Sequence, residues 1–242
     1  MPKFFFESEN QGPTYIDMQG STAHHIVNVL RHKIGDEVLL CDGNCTDYVT
    51  KLISYETIKN LVTARFEVVG VKNCLTEPPI FIRLFQSVIK WESFDFAVQK
   101  SVEVGVGEIV PVITNRSIYK LSDVKKKIDR LNRIAKSAAE QSERGVVPKI
   151  AEPIGINDYL NNKDSVIFFA CCDEKTSLAS RLDNLNLKEV DILIGPEGGF
   201  TFAERELLLS KKIIPFSLGP RVLRSETASI VTIANLLMHY QR

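Results

Sequence analysis

The chain has 242 residues, a formal net charge of zero, 44 % hydrophobic residues and five cysteines. At about 100–200 residues per domain, this length fits one large or two unequal domains with ample material for a core. Zero net charge by itself argues against a nucleic-acid partner, no apolar run reaches the roughly 18 residues of a membrane span, and the opening Met-Pro-Lys-Phe-Phe-Phe-Glu is too short for a signal peptide.

Residues 1–72 read mostly as β. Phe4–Phe6, Tyr15–Met18, Glu37–Cys41, Tyr48–Ile53 and Leu61–Val69 are short β-branched or aromatic runs, and Asp42-Gly43-Asn44 is a turn signal. One helix is predicted at Thr22–Arg31, with Ser21 or Thr22 as its cap. A small barrel is the simplest arrangement, because closure removes exposed edges. Arg31 and Lys33, at the end of the helix, are either phosphate contacts or charges favoured by the helix dipole. His24 and His25 have no partners at metal-ligand spacing, and Cys41-x3-Cys45 and Cys171-Cys172 lack the Cys-x2-Cys spacing of zinc sites. The cysteines read as reduced thiols of a cytoplasmic protein, and no metal is expected. Residues 73–79 form the boundary, since Pro78-Pro79 favours an extended linker.

From Ile80 strands and helices alternate. Strands are predicted at Phe81–Val88, Glu108–Val112, Val166–Ala170, Ile192–Ile194 and Ile213–Phe216. Helices fit Glu92–Val104, Asp123–Gln141, Phe202–Leu209 and Glu226–Met238. Such alternation predicts a parallel sheet covered on both faces over residues 80–242. In the second helix, Val124, Ile128, Leu131, Ala135 and Ala138 make one apolar stripe, and Ser122 is the expected cap. Residues 116–149 carry 10 Lys and Arg against 4 Asp and Glu, whereas residues 1–72 carry 7 against 9. A charge run is often only a solvated face. Here it is one-signed and flanked by Arg116 and Arg144, which favours a phosphate-contacting surface through Lys126, Arg130 and Arg133. The last helix is apolar or small almost all round and is therefore expected to be buried.

Two glycine-bearing turns each follow a short apolar run: Gly195-Pro-Glu-Gly-Gly-Phe-Thr and Leu218-Gly-Pro-Arg-Val-Leu-Arg-Ser-Glu-Thr-Ala. In α/β sheets, ligands bind where strands end in such turns, so the two loops can form one pocket. Glycines admit close backbone approach to a ligand. The first loop lacks the Lys-Ser/Thr of a phosphate cradle and the spacing of a dinucleotide fingerprint, and Glu197 would repel a polyphosphate. A neutral or cationic nucleoside fits better than ATP or NAD.

Together these two segments resemble the signature of the SPOUT-class RNA methyltransferases. They are similar to the family that methylates N3 of a uridine in small-subunit ribosomal RNA. His24-His25-x4-Val29-Leu30-Arg31-x-Lys33-x-Gly35-Asp36, Lys90-x12-Glu103-x-Gly105-Val106, Asn115-Arg116-Ser117 and Glu140-Gln141-Ser142 resemble the same family in the same order. The resemblance covers nearly the whole chain. It implies a PUA-like RNA-binding β-barrel followed by a SPOUT α/β domain with a C-terminal trefoil knot, which ordinary topology rules would never predict. It also implies S-adenosylmethionine as methyl donor, ribosomal RNA as substrate, and a homodimer.

On that reading, cofactor contacts are expected from Ile194, Gly195, Glu197, Gly199, Leu218, Gly219, Val222, Leu223, Ser225 and Thr227. Arg31, Lys33, Lys90, Arg116, Lys126, Arg130, Arg133 and Arg144 are expected at RNA. Arg224 is the first candidate for stabilising charge on the uracil carbonyls. Glu226 can act as a base only if burial raises its pKa; the plainer role is to stabilise the helix start behind a Ser225 cap. A non-enzymatic ribosome-assembly protein would use the barrel and basic helix but leaves the glycine loops unexplained. A P-loop or Rossmann enzyme is disfavoured by the missing motifs.

Overall fold

A computed structural model describes residues 3–6, 14–159 and 167–241, in two compact units. The first unit takes in the chain up to Glu77 and a later segment, Ala139–Val147. Its strands are β1 (Lys3–Phe5), β2 (Tyr15–Gln19), β3 (Glu37–Cys41), β4 (Thr46–Ile58) and β5 (Leu61–Asn73). They form one sheet in the order β1-β3-β4-β5-β2, with only β1 and β3 parallel. Alternate residues point inward, so Phe4, Ile16, Leu40, Leu52, Val62 and Phe66 meet in one core.

The helix between β2 and β3 is shorter than predicted. Helix α1 (Ser21–His24) widens into a π-helical turn over His25–Val29, and Arg31 then adopts φ 60°. That left-handed residue cannot continue a helix. Gly20, at φ 81°, occupies the cap position in place of Ser21 or Thr22.

Segment 139–147 joins this unit through charges that sequence periodicity did not show. The Lys3 ammonium is 2 % exposed and lies 2.9 Å from the Asp47 carboxylate. It also donates to the carbonyls of Glu143 (2.8 Å) and Arg144 (3.3 Å). The Glu77 carboxylate accepts from the Arg144 guanidinium at 2.6 Å and from the Gly145 amide at 2.9 Å. Arg144, expected at RNA, is therefore a buried structural cation, because its charge is neutralised inside the unit.

The second unit contains β6 (Phe81–Ser87), α2 (Trp91–Val104), β7 (Glu108–Ile113), α3 (Leu121–Lys125), α4 (Ile128–Gln141) as far as Ala138, β8 (Lys149–Ile150) and β9 (Ile154–Gly155). After α5 (Ile156–Tyr159) it continues with β10 (Ile167–Ala170), α6 (Leu178–Leu182), β11 (Glu189–Ile194), α7 (Phe202–Ser210), β12 (Ile214–Phe216) and α8 (Ser225–Tyr240). Every strand pair in its sheet is parallel, as the alternation predicted, in the order β12-β10-β11-β6-β7-β8 with β9 also on β7. Val166, expected to open a strand, lies outside the described residues. The predicted helix over residues 123–141 is two helices. Lys127 N–H turns back to the Val124 carbonyl at 2.8 Å, a tight three-residue turn that interrupts the α pattern. The Lys120 amide at the start is held by the Asp123 carboxylate at 3.1 Å, so Ser122 is not the cap. Helix α8 buries Ala228, Ser229, Thr232, Ile233 and Leu236 and packs on α2.

Removing the Lys3 charge should strand the buried Asp47 carboxylate. Lys3→Met should destabilise the first unit by about 3–5 kcal/mol in urea unfolding followed by circular dichroism, the usual effect of breaking a buried pair. A change below about 1 kcal/mol would show that water already reaches the pair.

Candidate active site

Three strands of the second sheet, β10, β11 and β12, end side by side, and the loops that leave them enclose a cavity of about 560 Å³. This volume lies within the range of small-molecule sites. Ile194, Phe200, Leu218, Val222, Leu223 and Ala228 give it apolar walls. Backbone from Gly195, Gly198, Gly199 and Gly219 completes the lining, with Glu197 and Arg224 at its polar parts.

The glycines serve different purposes. Gly199 has φ 68° and Gly219 φ 101°, conformations that L side chains rarely adopt, and a Cβ on either would meet nothing within 4 Å. The turn demands glycine there, and the space beyond is left open. Gly195 is limited by packing instead, since a Cβ would sit 3.1 Å from the Phe200 ring. At Gly198 a Cβ would approach the Arg116 side chain to 3.1 Å, and the Arg116 guanidinium donates to the Gly198 carbonyl.

A buried polar chain holds the loops in register. The Ser225 hydroxyl donates to the Gly195 carbonyl at 2.6 Å and accepts from Gln86 Nε2 at 2.9 Å. Gln86 is fully buried on β6, and its Oε1 accepts from the Ser229 hydroxyl. Ser225 is therefore not the α8 cap; Arg224 stands at that position, and Ser225 bonds across to the other glycine loop. On the far side, the Glu204 carboxylate accepts from the Asn115 amide (2.8 Å) and the Thr201 amide (2.8 Å). The reciprocal Thr201–Glu204 capping box starts α7.

The third wall follows β10. Cys171, Cys172 and Asp173 line the cavity, and Asp173 pairs with Arg205. Behind them the amides of Thr176 and Lys175 hold the Glu174 carboxyl below the usual carboxylate range, with Arg181 adding to the effect.

Nine of the ten residues expected at the cofactor line this cavity: Ile194, Gly195, Glu197, Gly199, Leu218, Gly219, Val222, Leu223 and Ser225. Thr227 does not, because it sits on α8 one position past the buried Glu226. Arg224 lines the cavity. Glu226 does not: it is 9 % exposed, and Ser93 on α2 donates to it at 3.5 Å. Its place is the first turn of α8, where a carboxylate stabilises the helix. Arg116, expected at RNA, lies in the cavity wall itself. The turn after Ala170, which the family resemblance implies beside the two glycine loops, contributes Cys172 and Asp173; Arg205, on the α7 helix, is the lining residue that no spacing or periodicity marked.

Comparison with known proteins decides the family. An RNA methyltransferase domain model matches residues 76–237, and an RNA methyltransferase PUA domain model matches residues 19–56. The ribosomal RNA small subunit methyltransferase E of Buchnera aphidicola is 32 % identical, over 98 % of this chain and 92 % of its own. That of Bacillus subtilis is 30 % identical, over 97 % and 95 %. The chain belongs to the ribosomal RNA small subunit methyltransferase E family. Among solved structures, the family member from Neisseria gonorrhoeae bound to S-adenosylmethionine matches with a TM-score of 0.87 and 30 % identity, covering 98 % of this chain and 97 % of that one.

The residues of this methyltransferase cavity suit S-adenosylmethionine. Open space beside Gly199 and Gly219 admits a flat base against backbone, the apolar walls match its carbon skeleton, and Glu197 complements a sulfonium charge. The Ser225 bond carries a consequence for this family member's cofactor affinity. Ser225→Ala takes the hydroxyl donor from the Gly195 carbonyl and leaves Gln86 Nε2 only its bond to the Ser87 carbonyl, and it should destabilise the fold by about 1–3 kcal/mol. Affinity for S-adenosylmethionine by calorimetry should fall at least tenfold as the two loops lose their tether. Wild-type affinity in the folded variant would remove the tether from the account.

Proposed function

We propose that this protein transfers a methyl group from S-adenosylmethionine to N3 of one uridine in small-subunit ribosomal RNA. The observation that carries the reading is the cavity. It joins two glycine loops, an apolar wall and Arg224 in one place, with the proportions of a nucleoside site. Ile194, Leu218, Val222 and Leu223 pack on the cofactor, and the backbone of Gly195, Gly199 and Gly219 approaches it. Glu197 faces its charge, and Ser225 fixes the loop that carries it. When bound, the cofactor supplies an electrophilic methyl on a sulfonium sulfur.

The protein's own task is to present the uracil imide. Arg224 is exposed at the cavity rim, between the apolar Leu223 and the start of α8. Its guanidinium donates to a uracil carbonyl as the N3 proton passes to solvent water at the open rim, which stabilises charge that develops only in the transition state. Glu226 is given no part in proton transfer.

RNA is held by cations that the fold leaves exposed: Arg31 and Lys33 in the first unit, and Lys90, Arg116, Lys126 and Arg133 in the second. Arg130 is partly engaged by Asp95 and contributes less. The first unit serves as a PUA-like RNA-binding barrel that extends past the expected boundary at residue 72 to Glu77 and takes in Ala139–Val147, and the second unit serves as a SPOUT domain. A C-terminal trefoil knot is supported by one topological fact. Strand β12 stands at the sheet edge beyond β10, whereas α8 packs on α2 and β6, so residues 217–224 recross the ends of β10 and β11. A homodimer is supported by the exposure of Val222 (83 %) and Phe202 (73 %) near the cavity loops. The cytoplasm, where ribosomal RNA is made and assembled, is the expected site of action. Among the described residues, no helix is long and apolar enough to cross a membrane.

Arg224→Lys tests the chemistry. A lysine keeps the charge but not the two-pronged geometry. The variant should retain S-adenosylmethionine and RNA affinity while kcat falls roughly 100-fold, as loss of one oriented donor does. A parallel loss of cofactor affinity would make Arg224 a loop residue.

A further inference from the structure

Beside the cavity lies an aromatic pair that the methyl-transfer chemistry does not use. Trp91 opens α2 and Tyr119 lies in the loop after β7; their rings stack with centroids 4.6 Å apart and planes tilted by 38°. Trp91 also meets Phe94 edge-on, and the Lys127 ammonium stands 5.8 Å from the Trp91 ring centre. The pair is tied to the cavity from both sides. The Lys90 amide, one residue before Trp91, donates to the cavity carboxylate of Glu197 at 3.3 Å. Arg116, three residues before Tyr119, bonds the Gly198 carbonyl.

Around the pair the exposed charge is mostly positive: Lys90, Arg116 and Lys120 stand on the surface, with Lys127 half-buried. Asp123 is used to hold the Lys120 amide, which leaves Glu92 and Glu197 as the opposing charges. Both rings are half-buried, and Phe94 holds Trp91 edge-on. Fixed aromatic faces among cations are the means by which proteins hold unpaired bases, the rings stacking on the base and the cations meeting phosphate. A folded helix of RNA keeps its bases stacked on each other, so this surface suits a single-stranded segment.

Resting on the RNA methyltransferase reading above, we propose that Trp91 and Tyr119 form a stacking subsite for an unpaired nucleotide flanking the target uridine. Lys120 and Lys127 meet its phosphates. The subsite positions the target by holding its neighbour, and it takes no part in bond making.

Trp91 is the only tryptophan in the chain, so its fluorescence reports on this place alone. The test titrates the full-length protein with short single-stranded oligouridylate, following Trp91 emission and, separately, the anisotropy of end-labelled RNA. The subsite predicts quenching that follows the binding curve. Tyr119→Ala should lower RNA affinity roughly tenfold or more, as loss of a base–aromatic stack does, while Tyr119→Phe stays near wild type. S-adenosylmethionine affinity, measured by calorimetry, should be unchanged in both variants. RNA binding without quenching, or a Tyr119→Ala variant that binds RNA as tightly as wild type, would overturn the subsite and leave the methyltransferase reading intact. No RNA binding under either signal would likewise overturn the subsite, since a base-stacking surface takes any unpaired base.

Discussion

The Ser225 hydroxyl has one proton to donate, and it goes to the carbonyl of Gly195. That bond joins the first residue of α8 to the loop after β11, 30 positions earlier in the chain. Gln86 and Ser229 satisfy the rest of the buried group, so the loops cannot separate without stranding several polar atoms out of water. A fully satisfied buried network of this kind specifies one arrangement, because every alternative leaves a donor or acceptor unpaired. The cavity follows from that arrangement. Its walls come from four different loops, those after β7, β10, β11 and β12, and only their fixed register makes one site of them.

Rigidity at the tether is matched by openness at the glycines. Gly199 and Gly219 lie in the left-handed region with free space beside them, whereas Gly195 and Gly198 are packed against Phe200 and Arg116. One pair leaves room for a ligand and the other closes the wall behind it. Arg116 thus belongs to the site's construction as well as to its charge. Its bond to Gly198 links the loop after β7, where the Tyr119 ring also stands, to the glycine loop of the cavity.

Much of this was legible in the sequence, for definite reasons. The apolar run ending at Ile194, followed by a glycine turn and then a helix pattern over Phe202–Leu209, reads as strand, loop and helix, and the structure shows each. The cavity loops could be paired because both glycine turns follow short buried strands in a parallel sheet. What was hidden depended on partners distant in the chain. Nothing local marks Ser225 as a tether in place of a helix cap, since its partner is a backbone carbonyl. Glu226 looked like a candidate base until Ser93 was placed against it. Arg144 looked like the edge of a basic face, but Glu77 neutralises it in the first unit. The break at Lys126-Lys127 leaves the apolar stripe intact, so periodicity could not report it.

In the proposed reaction, this cavity presents N3 of a uridine to a methyl donor. A methyl group on N3 blocks Watson–Crick pairing, whereas one on the ribose or on C5 does not. The most direct measurement therefore incubates the protein with S-adenosylmethionine and unmodified small-subunit RNA, then combines nucleoside mass spectrometry with reverse-transcription mapping. The account predicts 3-methyluridine as the sole new nucleoside and one strong transcription stop. Methylation confined to a ribose or to another base, with no stop at a uridine, would contradict it.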